Sequence, residues 1–197
     1  MGPLVTGLEI RKATQERLEE WLPAYLAEIG RRFELELRDP RSWTRLPKFR
    51  DLRADQSPSI VVTSPGLAGP PERDGDGAYF ALWNLNVFIV VRGKSFEETA
   101  DLVALYVAAV RATIAQQGIP IESARKPRWN GEGYDEIARN ATRTIGAGVA
   151  SFIVPIGDVL DDDAGPTELP EPPDYEFPDD TFVEEAFVEV DQIDEVP

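Results

Sequence analysis

The spacing of apolar positions changes several times along the 197-residue chain, and each change marks an element. Within residues 12–38, Leu18, Leu22, Tyr25, Ile29 and Phe33 recur at steps of three and four, the signature of one helical face beginning near Thr14. Pro23 interrupts that stretch; without an N–H to donate, it predicts a kink or a junction between two shorter helices. Ile60-Val61-Val62-Thr63 reads as a short buried strand stopped by Ser64-Pro65-Gly66. In "AYFALWNLNVFIVV" the period falls to two. Tyr79, Ala81, Trp83, Leu85, Val87, Ile89 and Val91 share one face, while Asn84 and Asn86 stand among Phe80, Leu82, Phe88 and Val90 on the other. A strand of roughly 14 residues is well above the usual length. One face must cover a helix layer, and the other is expected to be only partly buried, with a neighbouring subunit as its cover.

Ser95 followed by Glu98 reads as a capping box opening a helix that runs to Gln117 and stops at Gly118. Its predicted stripe is Phe96, Ala100, Val103, Tyr106 or Val107, Val110 and Ile114, with Glu97, Glu98, Asp101 and Arg111 facing away. At about 1.5 Å per residue it spans about 35 Å, which matches the preceding strand. "IPIES" from Ile119 is a third strand candidate, and "RTIGAGVASFIVPI" a long final one in which Gly146 and Gly148 mark a bulge or bend. Between them, Trp129 to Tyr134 reads as a turn with two aromatic anchors. The predicted class is α+β: a small mixed or antiparallel sheet of about four strands, packed with an N-terminal helix and one long helix.

Two connections stand out. Arg38 to Pro58 is basic and proline-punctuated, with Trp43 and Phe49 interleaved; it reads as an irregular segment whose aromatics tuck onto the core. Gly66 to Gly77 is dense in turn residues, and a connection of that length between paired strands is usually mobile or functional.

Charge divides the chain in two. Of its 36 acids, 16 lie in residues 158–197 without a single base, leaving 20 acids against 20 bases in residues 1–157. The body, 1–157, is neutral, and the arm, 158–197, carries the net charge of −16. Such a balance argues against nucleic acid as a specific partner, because binding to it rests on a basic surface. The arm is rich in acid and proline and predicts an extended, solvated segment. Asp161-Asp162-Asp163 resembles half a calcium loop, but glycine falls one position early and a proline takes its place. Phe182, Val183, Phe187 and Val190 recover apolar character at the far end, as a docking peptide would.

Candidate chemistry is sparse. "FIVVRGKSFEET" resembles a phosphate loop, but the glycine needed five residues before Gly93 is Phe88, inside the strand. Lacking both His and Cys, the chain has no ordinary tetrahedral zinc site, no Ser-His-Asp triad and no Cys-His dyad. No carboxylate pair stands out as a glycosidase centre. The expectation is a protein that is not an enzyme, with no cofactor and no metal, and without a span long enough to enter a membrane.

The order of an N-terminal helix, a strand ending "VVTSPG", the long strand "WNLNVFIVVRG", the helix "SFEETADLVALYVAAVRATIAQQ" and the strand "GVASFIVPI" before an acidic tail resembles the tail terminator proteins of long-tailed, siphovirus-type bacteriophages. The match covers about residues 12–160 and includes no catalytic signature. The resemblance implies a structural virion protein. In that family a small α+β subunit forms a homohexameric ring on the tail tube, ends tube polymerisation and presents a surface to the neck. Partners would be further copies of the chain, the major tail tube protein and a neck or head-completion protein, with DNA passing through the ring unread. The location would be the tail–neck junction of a virion made in a bacterial cytoplasm. A neck protein of the same particle, or a non-viral protein-binding module, are the alternatives. The long acidic arm departs from the family pattern. For the ring contact the candidates are Phe80, Leu82 and Phe88, placed there or under the N-terminal helix. Leu67, Arg73, Asp74 and Asp76 belong to a loop expected to reach beyond its own subunit, and the four apolar residues of the arm are expected to dock on another protein.

Overall fold

The computed structural model describes residues 5–44, 56–73, 77–135, 138–140, 143–157 and 159–160. Phe49, Asp74, Asp76 and the apolar residues Phe182, Val183, Phe187 and Val190 lie outside the described residues.

The first helix, α1, runs Gly7–Phe33 as one element, with Pro23 inside it rather than at a junction. It begins well before Thr14 because Thr6 and Glu9 form a complete capping box: the Glu9 N–H donates to Thr6 Oγ1 at 3.3 Å, and the Thr6 N–H donates to Glu9 Oε2 at 2.7 Å. Its buried stripe is Ile10, Ala13, Thr14, Leu18, Leu22, Leu26 and Gly30. Tyr25 and Ile29 lie at the margin of this stripe and Phe33 is exposed, so the helix is rotated from the expected face. Gly30 anchors the exit. The Leu35 N–H donates to its carbonyl at 2.9 Å, Glu34 turns the chain in the left-handed region at φ 56°, and a Cβ on Gly30 would collide with the Leu35 carbonyl.

The sheet then builds from β1 (Ser42–Thr44), β2 (Ser59–Leu67), β3 (Glu72–Arg73) and β4 (Tyr79–Gly93). The second helix, α2 (Phe96–Gln117), follows, and β5 (Arg128–Tyr134), β6 (Ala138–Asn140) and β7 (Arg143–Ile156) complete it. The order is β1-β2-β4-β7-β5, with β3 beside β4 and β6 beside β7. β1 is parallel to β2 and every other pair is antiparallel, giving a mixed sheet larger than the four strands expected. Ser64-Pro65-Gly66 does not stop β2. It forms a bulge, with Gly66 at φ 125°, after which pairing resumes at Gly66 opposite Asn84. Over the described residues 66–73, the Gly66 to Gly77 segment is likewise tied to the sheet: the Ala68 N–H donates to the Leu82 carbonyl, and Glu72 and Arg73 pair with Phe80 and Tyr79.

"IPIES" is not a strand but a turn: Ile119 packs into the core, the Ser123 carbonyl accepts from the Gly157 N–H at 3.0 Å, and the next residue, Ala124, bridges Ile156. Trp129 to Tyr134, expected as a turn with buried anchors, is a strand, and both aromatics are more than half exposed (53% and 57%). The β4–β7 register runs without a break past Gly146 and Gly148, so neither marks a bulge. Gly148 instead lets α2 approach: a Cβ there would sit 2.7 Å from Val103 Cγ1 and 2.8 Å from Val107 Cγ2.

α2 opens at Ser95, whose Oγ accepts from the Glu98 N–H at 3.1 Å, and closes at Gly118 as expected. The Glu98 carboxylate reaches the Lys94 N–H rather than that of Ser95. The buried stripe is Thr99, Val103, Tyr106, Val107, Ala109, Val110, Thr113 and Ile114, whereas Phe96 and Ala100 are exposed. The buried threonines satisfy themselves on the preceding turn, Thr14 donating to the Ile10 carbonyl at 2.7 Å and Thr113 to that of Ala109 at 2.8 Å. Tyr25 and the α2 end tie the helices together, the Tyr25 hydroxyl donating to Gln116 and accepting from Gln117, each at 2.8 Å.

Both helices lie on one side of the sheet. Their buried residues form a single core with Ile60 and Val62 of β2, Leu85, Val87, Ile89 and Val91 of β4, and Ala150, Phe152, Val154 and Ile156 of β7. The cross-strand pairs Leu85 with Phe152 and Val87 with Ala150 show why: facing positions on adjacent strands are apolar together.

Candidate interaction surface

Because side chains alternate along a strand, the same strands present a second surface away from the helices. On β4 it consists of Phe80, Leu82, Asn84, Asn86, Phe88 and Arg92, all half-buried, together with the fully buried Val90. β7 adds Val149, Ser151 and Ile153, also half-buried, and Pro155. The pairing brings these into adjacent rows, Leu82 opposite Pro155, Asn84 opposite Ile153 and Asn86 opposite Ser151. Apolar and short polar side chains are thus interspersed on this face, a composition suited to a contact that is wetted when free. Phe80, Leu82 and Phe88 stand on this face and not under α1.

Leu67 and Arg73 do not join them. Leu67 pairs with Trp83 and Arg73 with Tyr79, residues of the helix-side set, so both point to the opposite side of the sheet. Leu67 is 42% exposed and Arg73 lies over the Tyr79 ring, its guanidinium 5.7 Å from the centroid.

A cationic edge borders the open face, and it was passed over in the sequence. Arg125, Lys126 and Arg128 are exposed, with only the buried Pro127 between them. The Arg125 N–H donates to the Pro155 carbonyl at 2.8 Å, which fixes this segment beside β7, and its guanidinium stacks over Phe80 at 5.4 Å. Arg128 pairs with Ile153 and so faces the open side. None of the three is in an ion pair with a described residue. The signal was legible as "RKPR", but three bases in a body with balanced charge draw no attention until folding places them beside Phe80.

The chain leaves the sheet at the same end. The Val159 N–H donates to the Tyr79 carbonyl at 2.8 Å, the Tyr79 N–H to the Leu160 carbonyl at 3.1 Å, and the Val5 N–H to the Val159 carbonyl at 3.0 Å. The start of the acidic arm is therefore held one residue from Phe80.

On the helix side, β5 carries a second cluster. Arg111 bonds Glu132 at 2.7 Å and lies 4.9 Å from the centre of the Trp129 ring, and the Tyr134 hydroxyl donates to the same carboxylate at 3.0 Å. Burial and that hydrogen bond hold the Tyr134 hydroxyl above its ordinary pKa. Arg111 thus packs across to the sheet instead of facing away.

The Gly93-Lys94-Ser95 corner lines a groove with Arg38, Arg41 and Arg92, but Glu36, Glu97, Glu98 and Asp101 line it too. The Lys94 N–H is already bonded to Glu98, and Gly93 lies against Thr99. A phosphate would meet as many carboxylates as cations here. Among the described residues, no cluster of three or more acidic side chains is arranged to hold a metal ion, and no helix is long and apolar enough to cross a membrane.

No protein-family model matches the chain, and no curated protein does. Among solved structures it is similar to a chain from the virion of a native gene transfer agent particle, at 12% identity and a TM-score of 0.36, over 74% of this chain and 94% of that one.

Proposed function

We propose that the chain is a structural subunit of a phage-like particle, which assembles head to tail into a closed ring of six, caps the tail tube, ends its polymerisation and joins it to the head or neck. The observation that carries this reading is the open face of β4 and β7, a half-buried strip of Phe80, Leu82, Phe88 and Ile153 left by a fold that places both helices on the other side. The family resemblance of the elements between residues 12 and 160 supplies the particle and the tail end as its setting. A subunit of this kind acts through its surfaces and needs neither catalytic group nor cofactor. Ring closure requires two different patches on each subunit to meet, and the open face is one of them.

The test is the mass of the purified full chain and its appearance in electron micrographs. A six-subunit ring is expected, and Leu82→Glu combined with Phe88→Glu should release folded monomers, since an uncompensated charge buried in the contact costs about 3–5 kcal/mol. A wild-type chain that is monomeric at every concentration, or a double variant that still forms rings, overturns the reading.

A further inference from the structure

The cationic edge and the acidic arm belong to one chain, and their chemistry is complementary. We propose that residues 161–197 of one copy bind the Arg125–Lys126–Arg128 edge and the adjoining Phe80–Leu82 strip of a second copy. This rests on the self-assembly reading above and names the contact that the arm makes within it.

Three observations carry it. Residues 158–197 hold 16 acids and no base, so the arm needs a basic surface to approach any protein closely. The body offers one in Arg125, Lys126 and Arg128, exposed and outside any ion pair with described residues. Beside those cations lie Phe80, Leu82 and Ile153, half-buried and apolar, which matches an arm whose acids are interleaved with Phe182, Val183, Phe187 and Val190.

Geometry chooses the second copy over the first. The arm leaves its own body at Leu160, hydrogen-bonded to Tyr79 and one residue from Phe80. Its apolar set begins only at Phe182, beyond Pro166, Pro170, Pro172, Pro173 and Pro178. A proline-rich spacer reaches about 3.1 Å per residue, or about 70 Å over this stretch. Prolines stiffen a spacer over several residues, which disfavours a return to a patch one residue from its own root. A body of this size is about 40 Å across, so the equivalent patch of an adjacent copy lies about that far away, within the spacer's reach.

The experiment uses full chains throughout. Unlabelled and nitrogen-15-labelled protein are mixed, assembled and treated with a carbodiimide, which condenses an amine with a carboxylate it touches, releasing water as the urea of the reagent. Links from Lys126 to arm carboxylates are then sorted by isotope. Links joining a light to a heavy chain are expected. They should fall on the order of fivefold in the Arg125→Glu, Arg128→Glu variant, which retains Lys126 as the reporter. They should fall similarly for the wild type in about 0.5 M salt, where exposed charges are screened. Lys126 links that are absent, confined to one isotope, or indifferent to both charge reversal and salt overturn the proposal. The assembly mass, read in parallel, separates the two ideas: rings without mixed links leave the ring reading standing and remove only the docking of the arm.

Discussion

At the scale of single residues, the positions that matter most are those where the fold leaves no room. Gly148 faces Val103 and Val107 of α2 at distances no Cβ tolerates. Gly148→Ala should therefore push the helix off the sheet and destabilise the body by about 1–3 kcal/mol, the usual cost of overpacking. Gly131, on the edge strand, has open space where its Cβ would lie. Gly131→Ala should change stability by less than about 0.5 kcal/mol, and urea unfolding of the two variants side by side measures the difference. The sequence shows both glycines in identical dress. Nothing in the neighbouring residues says that one meets a helix and the other meets solvent, because that depends on which strand crosses beneath α2.

Elements were legible where their ends are written in local chemistry. α2 was read to the residue because Ser95 and Gly118 punctuate a strong period. The start of α1 was missed although Thr6-x-x-Glu9 is an equally good signal, since Gly7 and the weakly apolar turn that follows do not resemble a helix entrance. Thr6→Ala removes the acceptor of the Glu9 N–H and should cost about 0.5–2 kcal/mol, with the thermal midpoint lowered in a melting curve and the helical signal frayed at that end. β4 follows from alternation alone, and β7 from its long apolar run, though its glycines mark no bulge. β1, β3 and β6, of two or three residues each, carry no period to read, and β5 hides behind Asn130, Gly131 and Gly133, turn residues that become a strand because β7 has an unpaired edge to offer. The β4 residues of the open face were visible from that alternation, while those of β7 were not. The cationic edge was not, since its relation to Phe80 exists only after β7 has brought the 125–128 segment alongside.

Across the whole molecule, the segment after α1 is held to the core through Tyr106, whose hydroxyl donates to the Arg38 carbonyl at 2.6 Å. Burial pushes this phenol from 10.0 up to about 12. The folded state thus favours the protonated form more than the unfolded chain does, so its contribution is complete below pH about 10 and is lost as pH rises toward 12. Stability measured by urea unfolding should decline over that window. Tyr106→Phe should weaken the fold by about 1 kcal/mol at neutral pH, as expected for one hydrogen bond, and should flatten the alkaline decline. A slope unchanged in the variant would assign it to other groups.

The bonds at Val159 also decide how the body bears a load. Tension on the arm enters at Leu160 and Val159, both bonded to Tyr79, with Val159 bonded to Val5 as well. β7 lies between β4 and β5, antiparallel to both. A pull along its axis acts as shear, with the hydrogen bonds of both ladders strained together, whereas a pull across the sheet would peel them singly from the Val159 end. An arm drawn out along the strand direction thus loads both β7 ladders together.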